Sequence, residues 1–126
     1  MRIGIIADPL NHPDWPTIEA LLEPAAKLGN RPVYREWDAI WCVYDDRELI
    51  GAANARLTEE GGEVALVGGR QHRKWIRKLD WLICSWMRRE GMPVVRAFGR
   101  KGWRKVLTDW ESMELEDGST GYEKVL

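Results

Sequence analysis

The stretch LVGGRQHRKWIRKLDW, residues 66–81, contains the side chains best suited to hold an anion. Two glycines end a short apolar run, and a basic amphipathic sequence begins directly after them. A strand that enters a helix through glycine can bind phosphate, because the first backbone N–H groups of the helix point at the ligand and the helix dipole favours negative charge. Arg70, Arg73 and Lys74 add positive charge at the same place. The sequence therefore predicts an anion-binding junction.

The charge of the chain is strongly segregated, although the net charge is only −1. Residues 70–105 contain 12 Lys and Arg against 2 Asp and Glu, whereas residues 1–69 contain 6 against 12 and residues 106–126 contain 1 against 6. A basic central block favours an anionic ligand, either a phosphorylated cofactor, a nucleic acid or an acidic protein surface. The alternative is a solvated helix face whose charges pair with the acidic flanks.

Other chemistries have less support in the residue types. His12 and His72 have no partner at a metal-ligand spacing, so no metal site is expected. Cys42 and Cys84 lie in apolar patterns and are expected to be buried thiols in a reducing cytoplasm. RQHRKW and GRKGWRK interleave basic and aromatic residues as nucleic-acid surfaces do, but Trp75 falls on an apolar stripe typical of core. Nucleic acid therefore ranks below a cofactor and a protein partner.

The elements that must position the junction follow from hydrophobic periodicity and turn residues. Strands are predicted at residues 2–7, 39–44, 49–57, 63–67 and 93–98, followed by a terminal hairpin that turns at residues 117–118. Trp15–Leu28 is predicted to form two short helices or one kinked helix, because Pro24 interrupts it. Asp14 is the expected N-cap and Gly29 the expected end of this segment.

Two amphipathic helices are predicted in the second half of the chain. The first follows the two glycines and ends at Gly91, and its apolar stripe consists of Trp75, Leu79, Leu82, Ile83 and Trp86. The second follows Gly102, and its apolar stripe consists of Trp103, Val106, Leu107 and Trp110. The predicted order is β-α(α)-β-β-β-α-β-α-β-β, which is an α+β class formed by a single domain, residues 1–126. Eight tryptophans in such a chain suggest that some of them face a ligand or a partner.

This order and several local patterns resemble the GNAT superfamily of acyl-CoA N-acyltransferases. DDRELIGAANARL resembles the family's third strand with its hairpin, GEVALVGG resembles the fourth strand with the pyrophosphate loop, and GMPVVRAFGRKGWRKVL resembles the fifth strand and the next helix. The resemblance implies a GNAT-like mixed, mostly antiparallel sheet of about seven strands with helices on both faces. The segment GRKGWRKVL, residues 99–107, is also similar to small GNAT-like proteins of tailed bacteriophages.

In that family the fourth and fifth strands splay apart around acyl-CoA, and its pyrophosphate lies on a Gln/Arg-x-x-Gly-x-Gly/Ala loop at the start of the central helix. The resemblance implies a nearly continuous run of cofactor-binding residues: Val67, Gly68, Gly69, Arg70, Gln71, Arg73, Lys74 and Trp75. Gln71 matches the loop pattern, whereas Lys74 and Ile76 stand where the family has glycine or alanine. Either basic side chains replace the backbone contacts, or the loop has lost CoA.

The resemblance also implies groups for acyl transfer. Glu63, at the start of the fourth strand, matches the position of a general base, although a glutamate at a hairpin edge ordinarily faces water. Backbone N–H groups near Val67 and Gly68 match the donors that polarise the thioester carbonyl. The family's tyrosine acid falls on Leu107, and Tyr122, the nearest phenol, is expected to be packed.

The sequence thus favours a protein that binds acetyl-CoA or another acyl-CoA and transfers the acyl group to an amine acceptor. The alternative is a catalytically inactive GNAT-fold protein that uses the basic cleft to hold a protein partner, in phage assembly or in binding a host factor. No membrane association is expected, because no apolar run reaches the ~20 residues of a spanning helix. The expected location is the cytoplasm, or the host cytoplasm or virion for a phage-encoded protein.

Overall fold

The computed structural model describes all 126 residues and contains seven strands and two α-helices. In chain order they are β1 (Arg2–Ile5), α1 (Trp15–Leu28), β2 (Ala39–Asp45), β3 (Glu48–Thr58), β4 (Gly61–Gly69), α2 (His72–Arg89), β5 (Val94–Gly99), β6 (Glu111–Glu114) and β7 (Thr120–Val125). Short 3₁₀ helices cover Pro9–Asn11 and Lys101–Lys105. None of the helices is both long and apolar enough to cross a membrane.

The strands form one seven-stranded sheet in the order β1-β2-β3-β4-β5-β7-β6. β1 with β2, β2 with β3, β5 with β7 and β6 with β7 are antiparallel, whereas β4 with β5 is parallel. The parallel ladder consists of three residue pairs and ends at Val64 opposite Ala97, although β4 itself continues to Gly69. The predicted α+β class with a mixed, mostly antiparallel sheet is confirmed.

The chain divides into two compact units. The first comprises Met1–Arg56 and Leu66–His72, and the second comprises Leu57–Ala65 and Arg73–Leu126. The assignment of residues 1–126 to a single domain stays a prediction.

In the first unit, α1 is one continuous helix across Pro24, so of the two expected alternatives the division into two short helices is wrong and a single helix is formed. Pro24 is exposed, and the carbonyl that loses its intrahelical donor there can bond water instead. Asp14 occupies the N-cap position and Gly29 the C-cap position, as predicted. The Asp14 side chain, however, makes no capping bond; its Oδ2 accepts a 2.6 Å hydrogen bond from the Tyr44 hydroxyl.

A buried polar cluster also lies in the first unit and fixes the segment that precedes β2. The Asp38 carboxylate accepts hydrogen bonds from the Arg35 backbone N–H at 2.7 Å and from Asn54 Nδ2 at 2.9 Å. Its other oxygen lies 3.2 Å from Arg56 Nε. Asn54 Nδ2 also donates to the Val33 carbonyl at 2.7 Å. The cluster thus ties residues 33–38 to β3, on both sides of Trp37, whose side chain is 87% exposed.

In the second unit, α2 confirms the predicted basic amphipathic helix. Its buried side chains are Trp75, Ile76, Leu79, Ile83, Cys84 and Met87, whereas Leu82 and Trp86 of the predicted stripe are half-buried. The chain leaves the helix at Gly91, whose N–H donates to the Arg88 carbonyl at 3.0 Å. Cys84 in α2 and Cys42 in β2 are both buried free thiols, as expected, and burial raises the pKa of each to about 12.

The second predicted amphipathic helix is wrong. Residues 101–105 form a single 3₁₀ helix, and the chain reaches β6 without an α-helix. Of the expected stripe only Trp110 is buried, whereas Trp103, Val106 and Leu107 are half-buried. The Trp110 indole N–H donates to Asp80 Oδ1 at 2.9 Å, a bond outside any helical pattern. The terminal hairpin of β6 and β7 is formed as predicted.

Candidate functional site

The predicted anion-binding junction lies between β4 and α2. β4 ends at Gly69 and α2 begins at His72, so Arg70 and Gln71 alone connect them. Gln71 has a φ of 56°, in the left-handed region, and this residue makes the turn from strand to helix. The first N–H groups of α2 have no acceptor within the helix, as at any helix start. The predicted strand–glycine–helix order is confirmed.

The two glycines at the end of β4 are required by close packing against the chain itself. A Cβ on Gly68 would lie 1.9 Å from the Leu21 carbonyl oxygen of α1. Gly69 has a φ of 136°, and a Cβ there would lie 2.3 Å from the Ile50 carbonyl oxygen of β3. The same carbonyl accepts the Arg70 N–H at 2.9 Å. These contacts alone account for glycine at both positions.

The three basic side chains proposed to hold an anion are not equivalent. The Arg70 guanidinium forms an ion pair with Glu48, which neutralises its charge. Arg73 and Lys74, in the first turn of α2, are exposed to solvent. The partner of Arg70 lies 22 residues away in the sequence, and no local pattern marks it. Arg73 and Lys74 therefore carry the available positive charge of the junction.

Trp75 does not present its ring to a surface ligand. Its side chain is 0% exposed, and the neighbouring Ile76 is buried as well. Both belong to the apolar stripe of α2, which explains why they point away from solvent. The assignment of Trp75 as a residue in contact with a cofactor is therefore corrected to a core position.

Glu63, the candidate base, is half-buried in β4. β4 is an interior strand, and Glu63 pairs in register with Arg96 of β5. The Arg96 Nε donates to Glu123 at 2.8 Å. A half-buried glutamate on an interior strand is not the solvent-facing edge residue that the ordinary exposure of glutamate favours. The role of Glu63 as a base stays a prediction.

Tyr122, the phenol nearest to the expected acid, is packed as predicted. It lies in β7 opposite Ala97, it is buried, and its hydroxyl donates to the Arg100 carbonyl. Burial raises the pKa of this hydroxyl, which makes its proton harder to remove. Leu107, which stands at the tyrosine position of the family pattern, is half-buried and has no ionisable group. Neither residue supplies an exposed acid.

Solved structures of acetyltransferases share this fold over nearly their whole length. No protein-family model and no curated protein matches the sequence. The PaiA N-acetyltransferase of Thermoplasma acidophilum in complex with coenzyme A is 15% identical, with 100% of both chains covered and a TM-score of 0.71. An acetyltransferase of Bacillus subtilis in complex with CoA is 13% identical, with 99% of this chain and 98% of that chain covered and a TM-score of 0.72. An acetyltransferase of Thermus thermophilus is 13% identical, with 100% and 98% covered and a TM-score of 0.68.

The likeness extends along the entire chain and not merely to one supersecondary motif. At these identities it shows a shared fold, that of the acyl-CoA N-acyltransferases, and leaves the activity to be argued from the side chains. Gln71 directly precedes α2, Arg73 and Lys74 lie in its first turn, and all three are exposed. Gly68 and Gly69, at the end of β4, pack against α1 and β3.

Proposed function

We propose that this protein is an acyl-CoA-dependent N-acyltransferase. The observation that carries the proposal is the exposed basic first turn of α2, directly after β4, in a chain that shares its fold from end to end with acetyltransferases solved in complex with CoA. The three-pair ladder between β4 and β5 adds support, because the resemblance implies that these two strands separate. Acetyl-CoA is the proposed donor and an amine the proposed acceptor.

The residues at the start of α2 fit the diphosphate of CoA through side-chain charge. Lys74 occupies a position where the family has a small residue, but its side chain is exposed and Ile76 is turned into the core. The backbone N–H groups of the first turn and the helix dipole add a favourable field. Arg73 and Lys74 are the proposed phosphate ligands, with Gln71 beside them. Arg70 is excluded from this role while it remains paired with Glu48.

Acyl transfer to an amine needs few protein groups, and this chain offers two of them. The bound thioester supplies the acyl group and an electrophilic carbonyl. Glu63 is the proposed base that accepts a proton from the incoming ammonium, so that the neutral amine can attack. Backbone N–H groups near Val67 and Gly68 are the proposed donors to the carbonyl oxygen as it gains negative charge. With no exposed tyrosine, the proposed route is that water relays the proton lost by the attacking nitrogen to the departing thiolate.

The double variant Arg73→Gln/Lys74→Gln is expected to weaken CoA binding by about tenfold or more, because two charge-assisted contacts to phosphate are lost. Isothermal titration with CoA measures the affinity directly. The thermal midpoint gives a second readout, since a ligand that binds only the native state stabilises it by about 2.7 kcal/mol at 100 times Kd. The matched control is Lys78→Gln/Arg89→Gln, which removes two exposed charges of the same helix away from its first turn. Equal weakening by both double variants, or no binding of CoA by the parent protein, contradicts the proposal.

Glu63→Gln is expected to lower acetyl transfer to an amine by about 100-fold, because general-base catalysis contributes at least that factor. CoA affinity is expected to stay within twofold of the parent value, because Glu63 is not a proposed phosphate ligand. Transfer is followed by release of the CoA thiol with a panel of amines. Glu60→Gln, on the exposed turn before β4, is the matched control. Undiminished transfer in Glu63→Gln removes Glu63 from the mechanism but leaves the binding proposal standing.

A bacteriophage origin, with a location in the host cytoplasm or virion, is a further part of the proposal. Its support is the similarity of residues 99–107 to small phage proteins. Structurally these residues form the end of β5 and a basic 3₁₀ helix in place of the expected α-helix. The short 3₁₀ helix between β5 and β6 is compatible with a smaller member of the fold.

A further inference from the structure

A cavity of about 250 Å³ opens on one face of α2, well away from the first turn of that helix. Its wall on the helix side is built by residues at helical spacing, namely Arg77, Asp80, Trp81, Cys84 and Arg88. The opposite wall is the chain segment 106–109, which follows the basic 3₁₀ helix. Lys124 of β7 completes the lining. All of these residues belong to the second unit.

The polar groups at the floor of the cavity already form hydrogen bonds and ion pairs with other residues of the chain. Asp80 Oδ1 accepts the Trp110 indole N–H at 2.9 Å, and Asp80 Oδ2 lies 3.9 Å from Lys124 Nζ. The Lys124 ammonium donates to Asp109 Oδ2 at 2.5 Å. Burial alone lowers the pKa of Lys124, but the bond to Asp109 and the charge of Asp80 together raise it, so this ammonium stays protonated. The floor therefore holds two carboxylates and one ammonium, so it offers no free cation, and an anion can be paired only at the rim.

The rim, by contrast, has two exposed guanidinium groups, those of Arg77 and Arg88. Arg77 stands close enough to Asp109 to lower the pKa of that carboxyl, although the hydrogen bond from Lys124 has the larger effect. Arg88 instead acts on the Cys84 thiol, whose pKa is raised by burial and which is therefore neutral. Of the two arginines, Arg88 is thus the better placed to pair with an added anion.

The cavity also exposes an aromatic surface. Trp81 is 64% exposed. Val106 and Leu107 in the facing wall are only half-buried. Because residues 101–105 form a short 3₁₀ helix, the facing wall has no α-helix to cover this side of α2. The flat indole and two aliphatic side chains form a slot for a planar apolar group.

The spacing of the two features fixes the shape of the ligand. Trp81 and Arg88 are seven residues apart, which is about 10 Å along the helix axis. Side chains on a helix lean toward its N-terminus, so both side chains lean the same way and this spacing is largely kept. A volume of about 250 Å³ is below the range of ~300–1,000 Å³ that suits drug-sized ligands. A single flat ring system with one acidic group matches both the length and the volume.

We propose that this cavity binds a small aromatic carboxylate, with the ring against Trp81, Val106 and Leu107 and the carboxylate paired with Arg88. The site is separate from the proposed CoA junction, because Cys84 at its centre is about 16 Å along α2 from Arg73. It also does not depend on acyl transfer. Binding is therefore tested without CoA, and failure of either proposal leaves the other untouched.

The test is a titration of the ¹⁵N-labelled full chain with 2-naphthoate, followed by NMR through the indole N–H signals. The signals of Trp81 and of Trp110, whose N–H donates to Asp80 in the cavity floor, are expected to shift together with a Kd of about 1 mM or lower. Trp81→Ala and Arg88→Gln are each expected to raise Kd by about tenfold. The neutral analogue 2-naphthalenemethanol is expected to bind about tenfold more weakly than the acid.

Arg89→Gln is the matched control, because Arg89 is an exposed neighbour of Arg88 on the same helix that does not line the cavity. It is expected to leave Kd within twofold of the parent value. Equal weakening of binding by Arg88→Gln and Arg89→Gln would mean that the ligand responds only to the general positive charge of α2. That result overturns the proposal. An affinity of Trp81→Ala equal to that of the parent overturns the proposal as well. So does the absence of a shift of both indole signals at about 10 mM 2-naphthoate, roughly ten times the expected Kd. The thermal midpoints of the three variants verify that each one is folded.

Discussion

Gly68→Ala is expected to lower the free energy of unfolding by about 3 kcal/mol or more, at the upper end of the costs of overpacking. The added Cβ would lie 1.9 Å from the Leu21 carbonyl oxygen and 2.8 Å from the carbonyl carbon. Both atoms belong to the backbone of α1, so no side-chain rotation can relieve the contact, and the helix and the strand must separate. Urea denaturation measures the loss, and the thermal midpoint is expected to fall by roughly 10 °C or more.

Gly102→Ala is the matched control for this experiment. A Cβ on Gly102 meets no atom within 4 Å, and its backbone does not need a positive φ. Its free energy of unfolding is expected to stay within about 0.5 kcal/mol of the parent value. If Gly68→Ala proves as stable as Gly102→Ala, α1 does not pack on the end of β4 as described. Loss of CoA binding in Gly68→Ala would report this packing, and it would not by itself identify Gly68 as a ligand.

The sequence predicted elements well where one local pattern determined them. α2 was predictable because its bulky apolar residues recur at helical spacing from Trp75 to Met87 and a glycine follows them. The hairpin strands were predictable because β-branched and aromatic residues alternate with turn residues. In both cases the local preference and the tertiary packing agree, so the sequence pattern alone was sufficient.

The missing helix after β5 shows where local pattern fails. Trp103, Val106, Leu107 and Trp110 have helical spacing, but the same window contains the pairs Arg100–Arg104 and Lys101–Lys105, which place like charges on adjacent turns. Gly102 adds a further cost to a helix interior. Trp110 donates a hydrogen bond to Asp80, 30 residues earlier in the chain. This bond forms although residues 103–110 do not form an α-helix. The apolar spacing of these four residues therefore reflects their partial or full burial and does not require a helix.

The candidate site was predictable only in part. The basic residues and their position after β4 follow from the sequence. The contact of Gly68 with Leu21 and the ion pair of Arg70 with Glu48 join segments that are distant in the chain. No local spacing encodes such contacts. The sequence identifies Arg70, Arg73 and Lys74 as the basic residues near the start of α2. Only the structure shows that Arg70 is paired with Glu48.

Asp38→Ala is expected to destabilise the protein by about 3–5 kcal/mol, the range for removing one partner of a buried ion pair. The Asp38 side chain is 3% exposed and that of Arg56 is 15% exposed, so the guanidinium left behind has little access to water. Asn54 and the Arg35 N–H lose an acceptor at the same time. Denaturation in urea at neutral pH measures the effect. Glu36→Ala, which removes an exposed carboxylate two residues away, is expected to change stability by less than about 0.5 kcal/mol.

The double variant Asp38→Ala/Arg56→Met separates the ion pair from the neutral hydrogen bonds. Removing both charges eliminates the uncompensated guanidinium, so the double variant is expected to be more stable than Asp38→Ala alone by at least about 1 kcal/mol. The bonds from Asn54 and Arg35 stay broken, so full parent stability is not expected. Strictly additive losses contradict the pairing of Asp38 with Arg56.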